Sequence, residues 1–567
     1  MKNNVINMKN KWLLFLFIPI LYLFVAFLVI PSITTFVESF TTNEGEFTFR
    51  WLELMFTNDK YGEYILNTLG LGFATVIVCG IVGFSLAFAF NFYDFNGKFI
   101  GKIIALLPIC LPGTLFVYAC VNIFGPTGVL GNILTAITGS EEQLYSFTGF
   151  WPILLIHALS QYINFYVIIS YGLTKIDKSQ MESSIILGAS KFKVFKDSFF
   201  IPLLPSIASA AGLTLIGGMG SYAAPSMIGG SFITLTVGIN TARQSGNLHI
   251  SSMLSIISSL LVIISLILIE YFSRKRTTTL SVKYTPFTTY RFKSKVAHNL
   301  FTLYIWLLII VLMLPIIFVV LFSFFPPKSS GTFTLDNFTL SGFSNIWNYG
   351  DIVDSLKYTF EQSFIVAIIT VIIALVLALI SLRTNWKFKS LANGMAHFPT
   401  FISDVGYAIA VIVTFNVPQW FVGNQALYGD YSLLIIILAL LSVTLAYKNF
   451  YSAIQRISTD LDEASSMLGA SEFYTMRKVI FPIITPIFIS TFIITMIYKL
   501  QEYTINAFIG PIGNSNIAML IRSLGSQEND KSNMTWVLGT IVLVIVIFLL
   551  VIYNKFSNTN DSQQVQE

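Results

Sequence analysis

The residues of this chain whose types and spacing are most pointed lie in two copies of one short polar string. One copy reads Asp462-Glu463-Ala464-Ser465-Ser466-Met467-Leu468-Gly469-Ala470-Ser471, then Phe473, Phe481-Pro482 and Pro486. The other reads Met181-Glu182-Ser183-Ser184-Ile185-Ile186-Leu187-Gly188-Ala189-Ser190, then Phe192, Pro202 and Pro205. Glu182 pairs with Glu463, Gly188 with Gly469 and Pro205 with Pro486, all at an offset of 281 residues. The string holds no base beside a nucleophile and no ligand set, so its chemistry is that of a surface built to be touched. A second group stands at membrane depth: Lys499 and Glu502, with Asp404 and Glu361 as further candidates. Charges there are costly unless they face protein or water, which makes them pointers to a solute path. Lys499 and Glu502, three residues apart, share one face of a helix, so a neutralising pair and a pathway role both stay open. A free Glu502 carboxylate favours a cationic or metal-bearing solute.

Other chemistries find no footing. His157, His249, His298 and His397 lack ligand spacing, and Cys79, Cys110 and Cys120 lack a CxxC pattern, so no metal site is expected. There is no Gly-x-x-x-x-Gly-Lys-[Ser/Thr] phosphate loop, so the chain is not expected to bind ATP itself.

Composition says what positions these residues. Hydrophobic residues make up 55% and charged residues 11%, against roughly 25% charged in soluble domains. Apolar runs long enough to cross a bilayer, which takes about 20 residues, fall near 12–31, 65–90, 101–123, 150–172, 203–219 and 251–272. Six more fall near 300–324, 358–382, 392–415, 431–447, 484–508 and 535–553. They are continuous rather than alternating, so they predict helices and not barrel strands. The fold class expected is an all-α polytopic membrane protein of about twelve helices. The first run, preceded by Lys2, Lys9 and Lys11, is too long for a signal peptide and reads as an uncleaved first span.

Basic residues crowd alternate loops, among them Arg274, Lys275, Arg276, Lys283, Arg291, Lys293 and Lys295. The segment between the third and fourth spans has only Glu141 and Glu142. By the positive-inside rule both termini, the basic segment and both copies of the string are cytoplasmic. The basic segment reads as a connector rather than a nucleic-acid patch.

The repetition extends beyond the string. Tyr358-Thr359-Phe360 resembles Asn67-Thr68-Leu69, and Pro399 matches Pro108, at an offset of 291. The first half therefore carries about ten extra residues, which segment 124–149 can absorb. Six spans per half make a parallel repeat. Expected divisions are a first half 1–272 with its string in 177–205, a linker 273–299, a second half 300–555 with its string in 458–486, and a polar tail 556–567, expected to be disordered.

Physically the string is a short helix, a glycine break and a second short helix. Asp460 and Asp462, or Asp177 and Ser179, are expected to cap the first helix or charge its first turn. Gly188 and Gly469 permit a backbone conformation or a close approach that a side chain would block. The prolines set how the chain joins the following span.

The second copy, with Glu463-Ala464-Ser465, Gly469, Val479, Phe481 and Pro482 in step, resembles the EAA loop of permease subunits of binding-protein-dependent ABC importers. The first copy departs from it: Ser183-Ser184 replace the alanines and Pro202 comes one residue late. The resemblance implies that Glu182, Gly188, Ala189, Ser190, Glu463, Ala464, Gly469, Ala470 and Ser471 form coupling helices that dock on ATPase subunits. It further implies two copies of that ATPase carrying ATP and Mg, an extracytoplasmic solute-binding protein, and a place in the bacterial cytoplasmic membrane among lipid. The fused layout is similar to ferric-iron and thiamine importers. Met219-Gly220-Ser221-Tyr222, leading to Pro225, resembles a Gly-Glu-aromatic segment of polyamine importers, with Ser221 in place of the usual Glu. That resemblance implies a pathway role for Ser221 beside Glu502, Lys499 and Asp404. The solute left open is ferric iron, polyamine, thiamine or phosphonate. The alternative, an ion-gradient-driven transporter of twelve helices, fits the span count but leaves the paired loops without a purpose.

Overall fold

The computed structural model describes residues 11–139, 144–174, 176, 178–274, 289–326, 337–384, 386–525 and 533–563. Glu141, Glu142 and Asp177, with Lys2, Lys9, Lys275, Arg276 and Lys283, lie outside the described residues. What is described is α-helical, with only isolated bridges between extended residues. A helix satisfies its own backbone, which is the condition for a long apolar run to sit in hydrocarbon.

Among the described residues eleven helices are long and apolar enough to cross a membrane, and a bent pair, taken as one span, makes a twelfth. Numbered along the chain, spans 1 to 6 are Phe15–Ser39, Asp59–Phe92, Gly113–Thr138, Phe150–Leu173, Phe192–Ile228 and Leu248–Tyr271. Spans 7 and 8 are Lys295–Phe324 and Gly350–Arg383. Span 9 is the bent pair Lys389–Phe401 and Asp404–Phe415, and spans 10 to 12 are Tyr431–Arg456, Phe473–Leu500 and Met534–Phe556. The all-α, two-times-six expectation holds.

Three details differ from the expectation. The runs at 101–123 and 392–415 are broken rather than continuous. Pro108 and Pro399 each sit in a tight turn, Leu107–Cys110 and Phe398–Phe401, followed by an extended Leu111 or Ile402. Proline lacks the N–H that the helix needs and crowds the preceding turn, and in span 9 the two pieces meet at 103°. The run at 484–508 ends early, at Leu500, and a separate short helix, Thr504–Ile509, follows. Glu502 thus lies in the break beyond span 11, not within it. The last helix runs on through the polar tail to Gln563 instead of giving way to disorder after Lys555.

The ten extra residues of the first half fall where they were expected. Phe124 to Phe150 is ten residues longer than Phe415 to Tyr431, and the difference is filled by the helix Val129–Thr138.

The cores do not follow the halves. Span 1 buries Leu13, Phe17, Phe24 and Leu28 among Val371, Tyr407, Leu434 and Leu438 of spans 8 to 10. The Tyr22 hydroxyl donates to the Phe421 carbonyl at 2.7 Å, and that of Tyr407 to the carbonyl of Phe27. Reciprocally, span 7 buries Ile305, Ile309, Leu312 and Phe322 among Leu115, Phe116 and Ile169 of the first half. The Trp306 indole donates to the Asn96 carbonyl at 3.1 Å. Each half therefore lends its first helix to the other.

Candidate functional site

Both strings fold as the local chemistry predicts. The first forms a helix Lys178–Ile186, a left-handed Gly188 (φ +84°), a turn of helix Lys191–Val194 and a wide π-type turn Phe195–Phe200. The second forms Asp460–Met467, Gly469 (φ +77°), Glu472–Thr475 and a π-type turn Met476–Ile480. The π-type turn of the first copy is one residue longer, which accounts for the late Pro202.

At each glycine a reversal closes the helix. Gly188 N–H donates to Ile185 and Ala189 N–H to Ser184, matched by Gly469 to Ser466 and Ala470 to Ser465. Nothing lies within 4 Å of where a Cβ would stand on either glycine. Of the two reasons for glycine, the backbone conformation is seen at both positions, and within the chain nothing approaches closely. Ser190 and Ser471 then cap the next turn, their hydroxyls accepting from Lys193 N–H and Tyr474 N–H at 3.3 Å each.

Of the two roles expected of Asp460 and Asp462, they take the second: with Glu463 they stand in the first turn of Asp460–Met467, and neither caps it. Ser458 receives the Asp460 N–H at 3.2 Å. Asp462 is buried and forms an ion pair with Arg383, the last residue of span 8. The other guanidinium nitrogen of Arg383 donates to the Ile457 carbonyl at 2.8 Å. Burial pushes the Asp462 carboxyl up and Arg383 pulls it back, burial being the larger influence. Offsets of 291 and 281 carry Arg383 to Phe92 and Asp462 to Met181. In the first half that pair is apolar: Phe92 ends span 2, its ring 5.7 Å from that of Phe199, and Met181 packs into the same cluster.

The tips carry what sequence reading passed over. Ile186 and Leu187 are 84% and 86% exposed, and their counterparts Met467 and Leu468 are 87% and 88% exposed. Two adjacent aliphatic side chains thus stand exposed at the same place in both loops. Glu182 and Glu463 are exposed beside them. The signal was present as an apolar pair inside a polar helix, but periodicity assigns such residues to a core.

The charged candidates gather in the second half, where Asp404 lies within electrostatic reach of Glu502 and Lys499. Lys499 Nζ lies 3.6 Å from Glu502 Oε2, and Glu502 Oε1 accepts the Ile505 N–H at 3.0 Å. Glu502 therefore closes the N-terminus of the helix that follows it and is neutralised by Lys499. Asp404 is the one exposed residue of Asp404–Phe415, at the break of span 9. Ser221, which the 281 offset pairs with Glu502, sits in a neutral network instead. Its hydroxyl is 3.0 Å from His157 Nε2, and His157 Nδ1 is 2.9 Å from the Thr75 hydroxyl. Gly113 and Gly218 stand where the second half has Asp404 and Lys499. No group of three or more potential metal ligands occurs among the described residues.

Two copies of one loop on a twelve-crossing helical chain, repeated in parallel, fit a pathway-forming membrane transport subunit. Two matches make the assignment specific. Residues 81–278 and 289–559 each match the family of binding-protein-dependent transport system inner membrane components, and the chain belongs to that family. It is similar to a probable ABC transporter permease, y4fN, of Sinorhizobium fredii, 25% identical over 87% of both chains. It is also similar to the ferric transport system permease FbpB of Actinobacillus pleuropneumoniae, 21% identical over 96% of this chain and 78% of that one. A putative 2-aminoethylphosphonate permease, PhnV, of Salmonella paratyphi A is 24% identical over 37% of this chain and 78% of its own. The chain is the permease component of an ABC importer, and the ion-gradient reading gives way.

Proposed function

We propose that this single chain is the whole solute path of its importer and receives two ATPase subunits, one on each loop. The observation that carries this is the pair of exposed tips, Ile186-Leu187 and Met467-Leu468, each held out by the same glycine reversal. ATP and Mg belong to those subunits; this chain couples and does not hydrolyse. Its partners are the ATPases inside and a solute-binding protein outside, with both termini cytoplasmic. Glu182, Ala189, Ser190, Glu463, Ala464, Ala470 and Ser471 serve the two docking helices around Gly188 and Gly469. Between them spans 5 and 11 run to the outer side, where the halves meet. There Asp404 is accessible but surrounded by protein, within electrostatic reach of Lys499 and Glu502, and Ser221, Lys499 and Glu502 hold the ends of the two helices.

The relatives named for ferric iron and 2-aminoethylphosphonate keep both a metal and a phosphonate in view as the solute, with thiamine and polyamine as the remaining options. The test is reconstitution. The purified chain alone should show no ATP hydrolysis, and the complex with its ATPase should hydrolyse faster when the loaded binding protein is added. Hydrolysis by the chain alone, or a complex that forms with a single ATPase subunit, overturns the reading. A cysteine placed at Ser183 should react only from the cytoplasmic side.

A further inference from the structure

At the seam between the halves, beyond the outer ends of spans 5 and 11, three aromatic rings stand in a row. Tyr222 stacks on Tyr503 with centroids 6.1 Å apart, and Tyr222 meets Phe508 at 5.2 Å. A guanidinium lies over each end: Arg522 over Tyr503 at 5.6 Å and Arg243 over Phe508 at 5.4 Å. The arrangement is built by the repeat. The 281 offset pairs Tyr222 with Tyr503, and the two arginines lie on the corresponding helices Leu235–Gln244 and Ile517–Gly525. Each arginine also reaches across. Arg243 covers a ring of the second half, and Arg522 Nη1 lies 3.5 Å from the Ser226 hydroxyl of the first.

Both guanidiniums are half-buried, and among the described residues neither has a carboxylate within ion-pair distance. Arg522 donates to the Tyr503 hydroxyl, and Arg243 Nη2 to Asn240 Oδ1 at 3.3 Å, while Arg243 Nε is buried with no partner. Asn240 in turn donates to the Tyr222 hydroxyl at 3.0 Å, and that hydroxyl is also within reach of Arg522, so the two cations converge on one phenol. The carboxylate adjacent in sequence, Glu502, is already taken by Lys499 and Ile505 N–H. A guanidinium offers five donors in a fixed fork, and stacking on a ring orients it without using them. Two such forks, short of acceptors and poorly hydrated, are costly unless an anion joins them.

We propose that this row is an anion site on the solute path, and that it takes a small multivalent oxyanion group: phosphonate, phosphate or sulfate. The proposal rests on the seam being the path, as set out above. Arginine pairs with such oxygens through two parallel hydrogen bonds, and the Tyr222 and Tyr503 hydroxyls and Asn240 amide add neutral donors. Because one arginine comes from each half, an anion held by both joins the halves at the outer side. Its departure leaves two like charges across the seam.

The experiment uses the full-length chain in lipid nanodiscs, without ATPase or nucleotide, so that a failure of coupling does not enter the result. Thermal unfolding and tyrosine fluorescence are followed while sulfate, phosphate or methylphosphonate replaces chloride at constant ionic strength. A saturable response to at least one of the three is expected. In the Arg243→Gln/Arg522→Gln variant it should vanish, and in Arg243→Lys/Arg522→Lys the apparent Kd should rise at least tenfold. The lysine pair keeps the charge and answers the question if the glutamine pair does not fold. No saturable response to any of the three ions overturns the proposal, and so does an unchanged Kd in the lysine variant. Loss of binding-protein docking in the glutamine variant, with no oxyanion response in the wild type, would assign the arginines to that partner and equally overturn it.

Discussion

The two repeated loops share one order of helix, left-handed glycine, helix and π-type turn, and differ in their anchors. In the second half the loop is tied to span 8 by a buried ion pair, Arg383 with Asp462. In the first half the same two positions are Phe92 and Met181, and the tie is apolar packing around Phe199. One loop geometry is thus held in place by two unlike interactions. The comparison teaches that the loop's shape is set locally, by the glycine reversal and the serine caps, whereas its attachment is free to vary. An ion pair demands one geometry and is intolerant of losing a partner; a methionine among phenylalanines yields and refills.

The sharpest way to break the comparison is to remove one partner of the ionic tie. Arg383→Met or Asp462→Asn leaves a buried charge or dipole uncompensated, a loss of about 3–5 kcal/mol. ATPase stimulation should fall more than tenfold at equal membrane abundance. The pair Arg383→Phe/Asp462→Met, which copies the first half, should recover most of it. If either single variant stimulates like the wild type, the ionic anchor has no role.

Next come the tips. Met467→Ser/Leu468→Ser should weaken ATPase binding by about 2–3 kcal/mol, judged from the apolar area the partner would cover. Ile186→Ser/Leu187→Ser should do the same, with no change in the melting temperature of the chain alone because the residues are already exposed. Pull-down titration against the ATPase measures both. Unequal losses would show that the two docking events differ.

The glycines should behave alike. Gly188→Val and Gly469→Val each impose about 1–2 kcal/mol of left-handed strain, and open space at both sites leaves no further clash to separate them. Coupled ATP hydrolysis should drop several-fold in both. A much milder first-half variant would mean that the apolar anchor absorbs strain the ionic one cannot.

The smallest effect is expected inside the membrane. Thr75→Val with His157→Leu turns the first-half network into the apolar pair found at Val366 and Leu438 in the second. Removing both partners together should shift stability by no more than about 1 kcal/mol, read from thermal unfolding of the chain. Removing His157 alone should cost more than removing both.

Much of this was legible in the sequence. Twelve crossings and the parallel repeat follow from apolar length and two numerical offsets, because those are properties of contiguous residues. The glycine reversal was legible too, since few residue types tolerate that backbone. The breaks in spans 3 and 9 were not, although Pro108 and Pro399 were noted; the surrounding apolar run outweighed one proline. The partners of Asp462 were hidden for a different reason. Arg383 is 79 residues away, and a buried acid looks like a helix cap until the structure shows what it meets. The arginine row was least legible of all, being assembled from four segments across the repeat.

The exchanged first helices have a consequence for how the chain is made. Span 1 leaves the ribosome before any other, yet its neighbours in spans 8 to 10 begin 335 to 416 residues later, from Gly350 to Tyr431 against Phe15. At 5–20 residues per second that is a wait of roughly 15–80 s. Through that interval Leu13, Phe17 and Phe24 have lipid, or an insertion factor, for company. The first half is therefore complete in sequence but unfinished in the membrane until the second arrives, and biogenesis ends by closing a clasp whose first piece was laid down at the start. Joining both halves in one polypeptide guarantees that the late piece comes, in equal number and at the same place.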